Sequence, residues 1–194
     1  MAIEARSTPG QATVLVVDDD PLLADLIAEW VREKWDCVTV NSGSRALEVV
    51  DEGVDIVLLD RQLGDTSGEA VLEEIRDRGL PTQVMIVSGV EPDVDIVELA
   101  IDDYVQKPVD RPTIQEKIEG LVLRRTYEPT VEQYFVCVAK LEVLEETQSP
   151  AALAADEMYL RLRAKADELR QDAAATLGAR TSPVANFQGI ELDD

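Results

Sequence analysis

The chain contains no histidine. That absence removes imidazole metal sites, Ser-His and Cys-His catalysis, and any phosphohistidine relay within these residues. Only two cysteines occur, Cys37 and Cys137, in the apolar settings DCVTV and YFVCVAK. They lack the C-x-x-C spacing of a redox or zinc pair and read as small buried hydrophobes. No apolar run approaches the ~20 residues that cross a bilayer. The first residues, MAIEARSTPGQAT, lack the apolar centre of a signal peptide. A cytoplasmic protein with no membrane partner is expected. Positive charge is scarce: 18 Lys and Arg face 40 Asp and Glu, a formal net charge of -22. Residues 1–122 hold most of the imbalance, with 10 basic against 27 acidic side chains. Such a surface repels nucleic acid and anionic membranes unless salt screens it. The available chemistry is that of carboxylates, lysine, hydroxyls and backbone groups.

What is present is an alternating pattern. The 194 residues are 45% hydrophobic, enough for one full domain with a core and a smaller appendage. Four β-branched apolar segments recur at Val14–Val17, Val38–Val40, Ile56–Leu59 and Val84–Val87, with a weaker fifth at Tyr104–Gln106. Between them lie helix-period stretches at Pro21–Trp35, Ser44–Glu52, Glu69–Arg78 and Pro112–Arg125, and a short, weak one at Pro92–Leu99. Continuous apolar strands separated by amphipathic helices predict a doubly wound α/β domain, its parallel sheet covered on both faces. After residue 125 the strands stop. Thr130–Thr147 is helix-period, with Val131, Tyr134, Phe135, Val138, Leu141 and Leu144 on one side. Gln148-Ser149-Pro150 breaks it, and Ala151–Leu177 reads as one second long helix with the stripe Tyr159, Leu162, Ala166, Leu169, Ala173 and Leu177. An antiparallel α-helical hairpin follows. Glu128-Pro129 predicts a kink before it.

In an open parallel sheet, ligands sit at the carboxyl ends of the strands, near the point where strand order reverses. Those ends supply Asp18, Asp19 and Asp20 after strand one, Asp60 after strand three, Ser88 and Gly89 after strand four, and Lys107 and Pro108 after strand five. Clustered carboxylates repel unless a cation sits among them, and hard oxygen ligands suit magnesium. A metal and a lysine on one rim can neutralise an incoming phosphoryl group while a carboxylate attacks phosphorus.

VLVVDDDP, DIVLLD, VMIVSG and DYVQKP, in this order, resemble the receiver domain of two-component response regulators over residues 13–122. The resemblance implies a flavodoxin-like (βα)5 fold and a sensor histidine kinase as phosphodonor. It implies Mg2+ held by Asp18, Asp19, Asp60 and the backbone carbonyl of Gln62. Asp60 would be the phosphoacceptor and Lys107 the phosphate-binding lysine. Ser88 and Tyr104 would be the switch pair, and the Lys107–Pro108 peptide would be cis. Two departures stand out. Leu63-Gly64 replaces the family's Met-Pro, which predicts a more mobile loop, although Gly68 keeps the turn before the next helix. The stretch from Ser88 to Lys107 is some three residues short, which predicts a stunted fourth helix.

TVEQYFVCVAKLEVLEETQS and DEMYLRLRAKADELR resemble the HalX domain of halophilic archaea over residues 123–178. The acid-rich composition fits a protein adapted to a salt-filled cytoplasm, or an ordinary acidic one. Residues 1–12 and 179–194 read as flexible ends. The HalX likeness implies an output in transcriptional regulation. DNA is a possible partner, but the charge does not support it, and a protein-interaction or homodimer module is the alternative. An enzyme is not expected: phosphohydrolases with an aspartate nucleophile need an acid where this chain has Gln62, and dinucleotide enzymes need glycines where it has Asp-Asp-Asp.

Overall fold

The computed structural model describes residues 12–125 and 129–178. The expected kink near Glu128, the start of the chain through residue 11 and the tail from residue 179 lie outside the described residues. Five strands, β1 (Thr13–Val17), β2 (Asp36–Val40), β3 (Ile56–Leu59), β4 (Gln83–Ser88) and β5 (Asp103–Gln106), form one sheet. All pair in parallel, in the order β2-β1-β3-β4-β5. The order reverses between β1 and β3, so the crevice beyond their carboxyl ends is where a ligand belongs.

Strand alternation divides the core. Leu15, Val17, Val57, Leu59, Val84 and Ile86 face one side, against α2 (Gly43–Val49) and α3 (Gly68–Asp77). Val14, Val16, Ile56, Leu58, Met85 and Val87 face the other, against α1 (Pro21–Arg32) and α4 (Arg111–Arg124). Helix starts follow local chemistry. Asp20, the last of the acids after strand one, is the N-cap of α1; its carboxylate accepts from the Leu22 and Leu23 amides. Ser42, Ser67 and Asp110 cap α2, α3 and α4 in the same way.

The predicted fourth helix is reduced to a single 3-10 turn, Val94–Val97. So short a turn leaves the α2–α3 side of the sheet uncovered toward β5. The C-terminal helices supply the cover. Helix α5 (Pro129–Thr147) packs along β5 and the 3-10 turn, and α7 (Glu157–Gly178) packs on α5 and the same turn. Cys137, Val143, Leu144, Tyr159, Leu162 and Ala166 join Ile96, Ile101 and Tyr104 in one continuous apolar cluster.

The hairpin departs from the expected pattern twice. The stretch Ala151–Leu177 is two helices, α6 (Pro150–Ala155) and α7, separated by Asp156. Asp156 is extended, and its carboxylate accepts from the Met158 and Tyr159 amides, which starts a new helix at that point. On α5, the predicted apolar face keeps Val131 and Leu144 buried, but Cys137, Ala139, Lys140 and Val143 fill the rest. Helix α5 has the sheet on one flank and α7 on the other, so two of its sides are covered. On α7, Tyr159, Leu162 and Ala166 are buried and Leu169 packs against them; the side chains of Ala173 and Leu177 lie outside the description.

The loop after β3 is fastened rather than loose. Asp65 accepts from the Gly43 and Ser44 amides, each at 2.9 Å, and from the Ser44 hydroxyl at 2.5 Å. These bonds, led by the Ser44 hydroxyl, hold the Asp65 carboxyl down at about 2. Gly68 returns the loop against β3: its amide donates to the Arg61 carbonyl, and a Cβ there would lie 2.9 Å from the Arg61 Cα. The expected mobility at Gly64 is therefore limited by the residue beside it.

Two outcomes follow. Leu144→Ala empties a fully buried site in the shared cluster. It should lower stability by about 2–5 kcal/mol in urea denaturation, moving one common transition for sheet and hairpin; a shift confined to helix signal would separate the two parts. Because the Asp65 pKa is depressed, its bonds stabilise above pH 3.8 and fade as pH falls toward about 2. The stability gap between wild type and Asp65→Ala should narrow over that interval, and a pH-independent gap would contradict this.

Candidate functional site

The carboxyl ends of β1, β3 and β5 meet at one point. Asp18 follows β1 and is 3% exposed; Asp60 follows β3 and is 7% exposed. Burial at this level disfavours two like charges unless something compensates them. Lys107, which follows β5, supplies the compensation. Its Nζ donates to Asp18 Oδ2 and to Asp60 Oδ2, both at 2.7 Å. Each acid keeps its other oxygen on a backbone amide two residues along: Asp20 N–H donates to Asp18 Oδ1 at 3.0 Å, and Gln62 N–H to Asp60 Oδ1 at 3.1 Å. Burial pushes the Lys107 ammonium down, but Asp18 and Asp60 outweigh it and hold the pKa above the ordinary value. The lysine stays charged.

Asp19 completes the cluster from the exposed side. One oxygen each from Asp18, Asp19 and Asp60 lies within 4.8 Å of the others. Three carboxylates against one ammonium leave two negative charges uncompensated. An all-oxygen donor set with that surplus, partly open to solvent, fits a hard divalent cation. The carbonyl of Gln62, named from sequence as a further ligand, belongs to the residue whose amide already holds Asp60.

Lys107 is placed by its neighbours. Its amide donates to the Ser88 carbonyl at 2.8 Å, and the Lys107–Pro108 peptide is cis. Ser88, at the end of β4, is buried, and its Oγ accepts from the Val90 amide at 3.3 Å. Tyr104, on β5, is 1% exposed and its hydroxyl donates to the Val90 carbonyl at 2.5 Å. Burial raises the Tyr104 phenol, with Arg61 and Ser88 pulling the other way. Ser88 and Tyr104 thus close on the same residue, Val90, from two strands.

Three neighbours were not singled out from sequence. Arg61, next in the chain to Asp60, bonds Glu69 of α3 and Asp95 of the 3-10 turn, each at 2.5 Å. No pattern marks it, because its partners are distant. Asn41 Nδ2 donates to the Asp18 carbonyl at 3.0 Å, fixing the end of β1. Lys140 is buried on α5 and its Nζ donates to the Val97 and Leu99 carbonyls at 3.1 and 2.6 Å. Its sequence signal was available: position 140 shares a helix face with Cys137 and Leu144.

Known proteins share both parts of the chain. Residues 14–119 match the response regulator receiver domain, and residues 123–187 match the HalX domain. A putative transcriptional regulator of Haloferax volcanii is 40% identical over 180 residues, covering 88% of this chain and 30% of its own. The probable transcriptional regulatory protein TcrX of Mycobacterium tuberculosis is 34% identical, covering 80% of this chain and 68% of its own. The chain therefore spans less than a third of the Haloferax protein. Among solved structures, the response regulator TrrA of Thermotoga maritima, in complex with Mg2+ and beryllofluoride, is 28% identical with a TM-score of 0.52, over 57% of this chain and 98% of its own. These relatives are regulators. Among the described residues, no helix is long and apolar enough to cross a membrane. With a five-stranded parallel sheet, an acidic cluster at its switch point and this match, the chain belongs to the response regulator receiver family, with a HalX domain behind the receiver.

Proposed function

We propose that the protein accepts a phosphoryl group on Asp60 from the phosphohistidine of a sensor kinase, with Mg2+ held by Asp18, Asp19, Asp60 and the Gln62 carbonyl. The carrying observation is the Lys107 ammonium shared at 2.7 Å by Asp18 and Asp60, with Asp19 beside them. An Asp60 oxygen forms the new O–P bond as the donor's P–N bond breaks, and the departing imidazole keeps the P–N electron pair and is protonated by solvent. Lys107 turns from the Asp60 carboxylate to an oxygen of the bound phosphoryl group. Ser88 donates its hydroxyl proton to another. Bound magnesium would supply positive charge against the transferring group. The product is a mixed anhydride whose own hydrolysis ends the signal. The site works as a switch in the cytoplasm rather than as an enzyme turning over a free substrate.

The output is the C-terminal hairpin. Transcriptional regulators among the relatives favour a role in transcription. The hairpin's own charges favour acting through protein contacts or a homodimer instead of DNA. Among the described residues, Arg161, Arg163 and Arg170 pair with Glu157, Glu145 and Asp167, which offsets much of the cationic charge that phosphates would need.

Incubation with acetyl phosphate and Mg2+ should add one phosphoryl group by intact mass, and the gain should vanish in Asp60→Asn or with a chelator. An unchanged wild-type mass would refute the acceptor role. Lys107→Met removes the charge between two buried acids. Mg2+ should then raise the thermal midpoint more in this variant than in wild type, because the ion takes over the neutralisation. Equal shifts would mean that Lys107 and the metal do not share one site.

A further inference from the structure

The cleft between the sheet edge and the hairpin collects unpaired positive charge. It has a volume of about 390 Å³, with Val97 and Asp102 on one side and α5 and α7 on the other. The chain holds five lysines. Three have carboxylate partners: Lys34 with Glu119, Lys107 with Asp18 and Asp60, and Lys117 with Asp103. The other two, Lys140 of α5 and Lys165 of α7, have none among the described residues, and both line this cleft. In a chain with 40 acids against 18 bases, an ammonium meets a carboxylate by default. Two that lack one in the same cleft call for another counter-charge.

Lys140 is 6% exposed, and its Nζ donates to the Val97 and Leu99 carbonyls at 3.1 and 2.6 Å. An ammonium carries three protons, so one is left over, and carbonyl dipoles do not cancel a full charge. Burial pushes the Lys140 pKa down; Cys137 and Asp102 work against this, and Lys165 and Arg76 with it. The acids on the walls are engaged elsewhere. Asp102 accepts from Arg76 at 2.8 Å and from the Val84 amide at 2.6 Å, and Glu132 accepts from Gln83 Nε2 of β4 at 3.4 Å. Arg161, one turn before Lys165, adds a third cation to the wall and is paired with Glu157 at 2.5 Å. Fixing two carbonyls explains Lys140 alone, and solvation explains Lys165 alone; neither explains both in one cleft. Val97, Val136 and Leu162 give the same cleft apolar walls, and its volume lies in the range of small-molecule sites.

We propose that this cleft binds a small organic dianion, a dicarboxylate or a phosphate monoester, with its charged groups on Lys140 and Lys165 and its carbon skeleton against Val97, Val136 and Leu162. Charge-assisted bonds to two helices would tie α7 to α5 through the ligand. The cleft shares no residue with the acceptor cluster of Asp18, Asp19, Asp60 and Lys107. It therefore gives the hairpin a chemical input of its own, available whether or not Asp60 is phosphorylated.

The test is calorimetric titration of the full chain, in metal-free buffer at fixed ionic strength, with succinate and separately with glycerol 3-phosphate. At least one should bind once per chain, and uncharged succinamide should not. Succinate alone would assign a dicarboxylate, glycerol 3-phosphate alone a phosphate ester, and both together the shared dianion chemistry. Lys165→Met and Lys140→Met should each weaken the Kd about ten-fold or more, while Lys107→Met should leave it unchanged. Lys165 is exposed, so its variant decides the matter if Lys140→Met fails to fold. Absence of binding by both anions overturns the proposal, and so does a Kd that Lys165→Met does not move. Binding lost in Lys107→Met would place the anion in the acceptor cluster and overturn it as well. Chloride that displaces the probe at equal concentration would make the cleft a halide site and overturn the organic ligand.

Discussion

Two carboxylates kept out of water and one ammonium between them set the terms for the receiver half. Asp18 and Asp60 are buried at the ends of adjacent strands, and Lys107 arrives from β5, two strands beyond β3. For three side chains from three strands to converge, the ends of the sheet must be in register. The parallel pairing of β1 with β3, β3 with β4 and β4 with β5 provides that register. Close backbone approach does the rest: Gly68 lets the loop after β3 return against that strand, and Asp65 fastens it to α2. The same convergence leaves three carboxylates facing one ammonium, a site short of positive charge by itself.

The hairpin belongs to this economy of contacts. A receiver whose fourth helix has shrunk to Val94–Val97 leaves Ile96, Ile101 and Tyr104 in need of cover. Cys137, Leu144, Tyr159 and Leu162 provide it. At about 1.5–3 kcal/mol for each large apolar side chain taken from water, such a cluster ties the two parts far more firmly than surface ion pairs do. Tyr104 illustrates the result: on the edge strand β5 it is 1% exposed, because it lies in the cluster that α5 and α7 complete.

Much of this was legible in the sequence because it rests on period and position. Strands fully buried on both faces read as unbroken apolar runs, and all five were found within two residues. The rim residues followed from where those runs stop. The capping role of Asp20 was not read, because a carboxylate beginning a helix and one ending a strand look alike when both are adjacent. The break at Asp156 was missed for a similar reason: in an Ala- and Leu-rich stretch, one capping aspartate is outweighed by helix propensity on either side. Arg61 and Asp95, 34 positions apart, could not be paired without coordinates. Lys140 was not singled out, because lysine is expected at surfaces and only tertiary packing around α5 buries it.

The shared apolar cluster has an evolutionary corollary. Signalling chains are commonly imagined as interchangeable cassettes, one sensor-facing unit spliced to any effector. Here the seam runs through the interior: Ile96 and Tyr104 on one side of it and Leu144 and Tyr159 on the other form a single dry surface. Grafting this receiver onto a different effector would strand greasy residues in water, so its two halves are bound to diversify together.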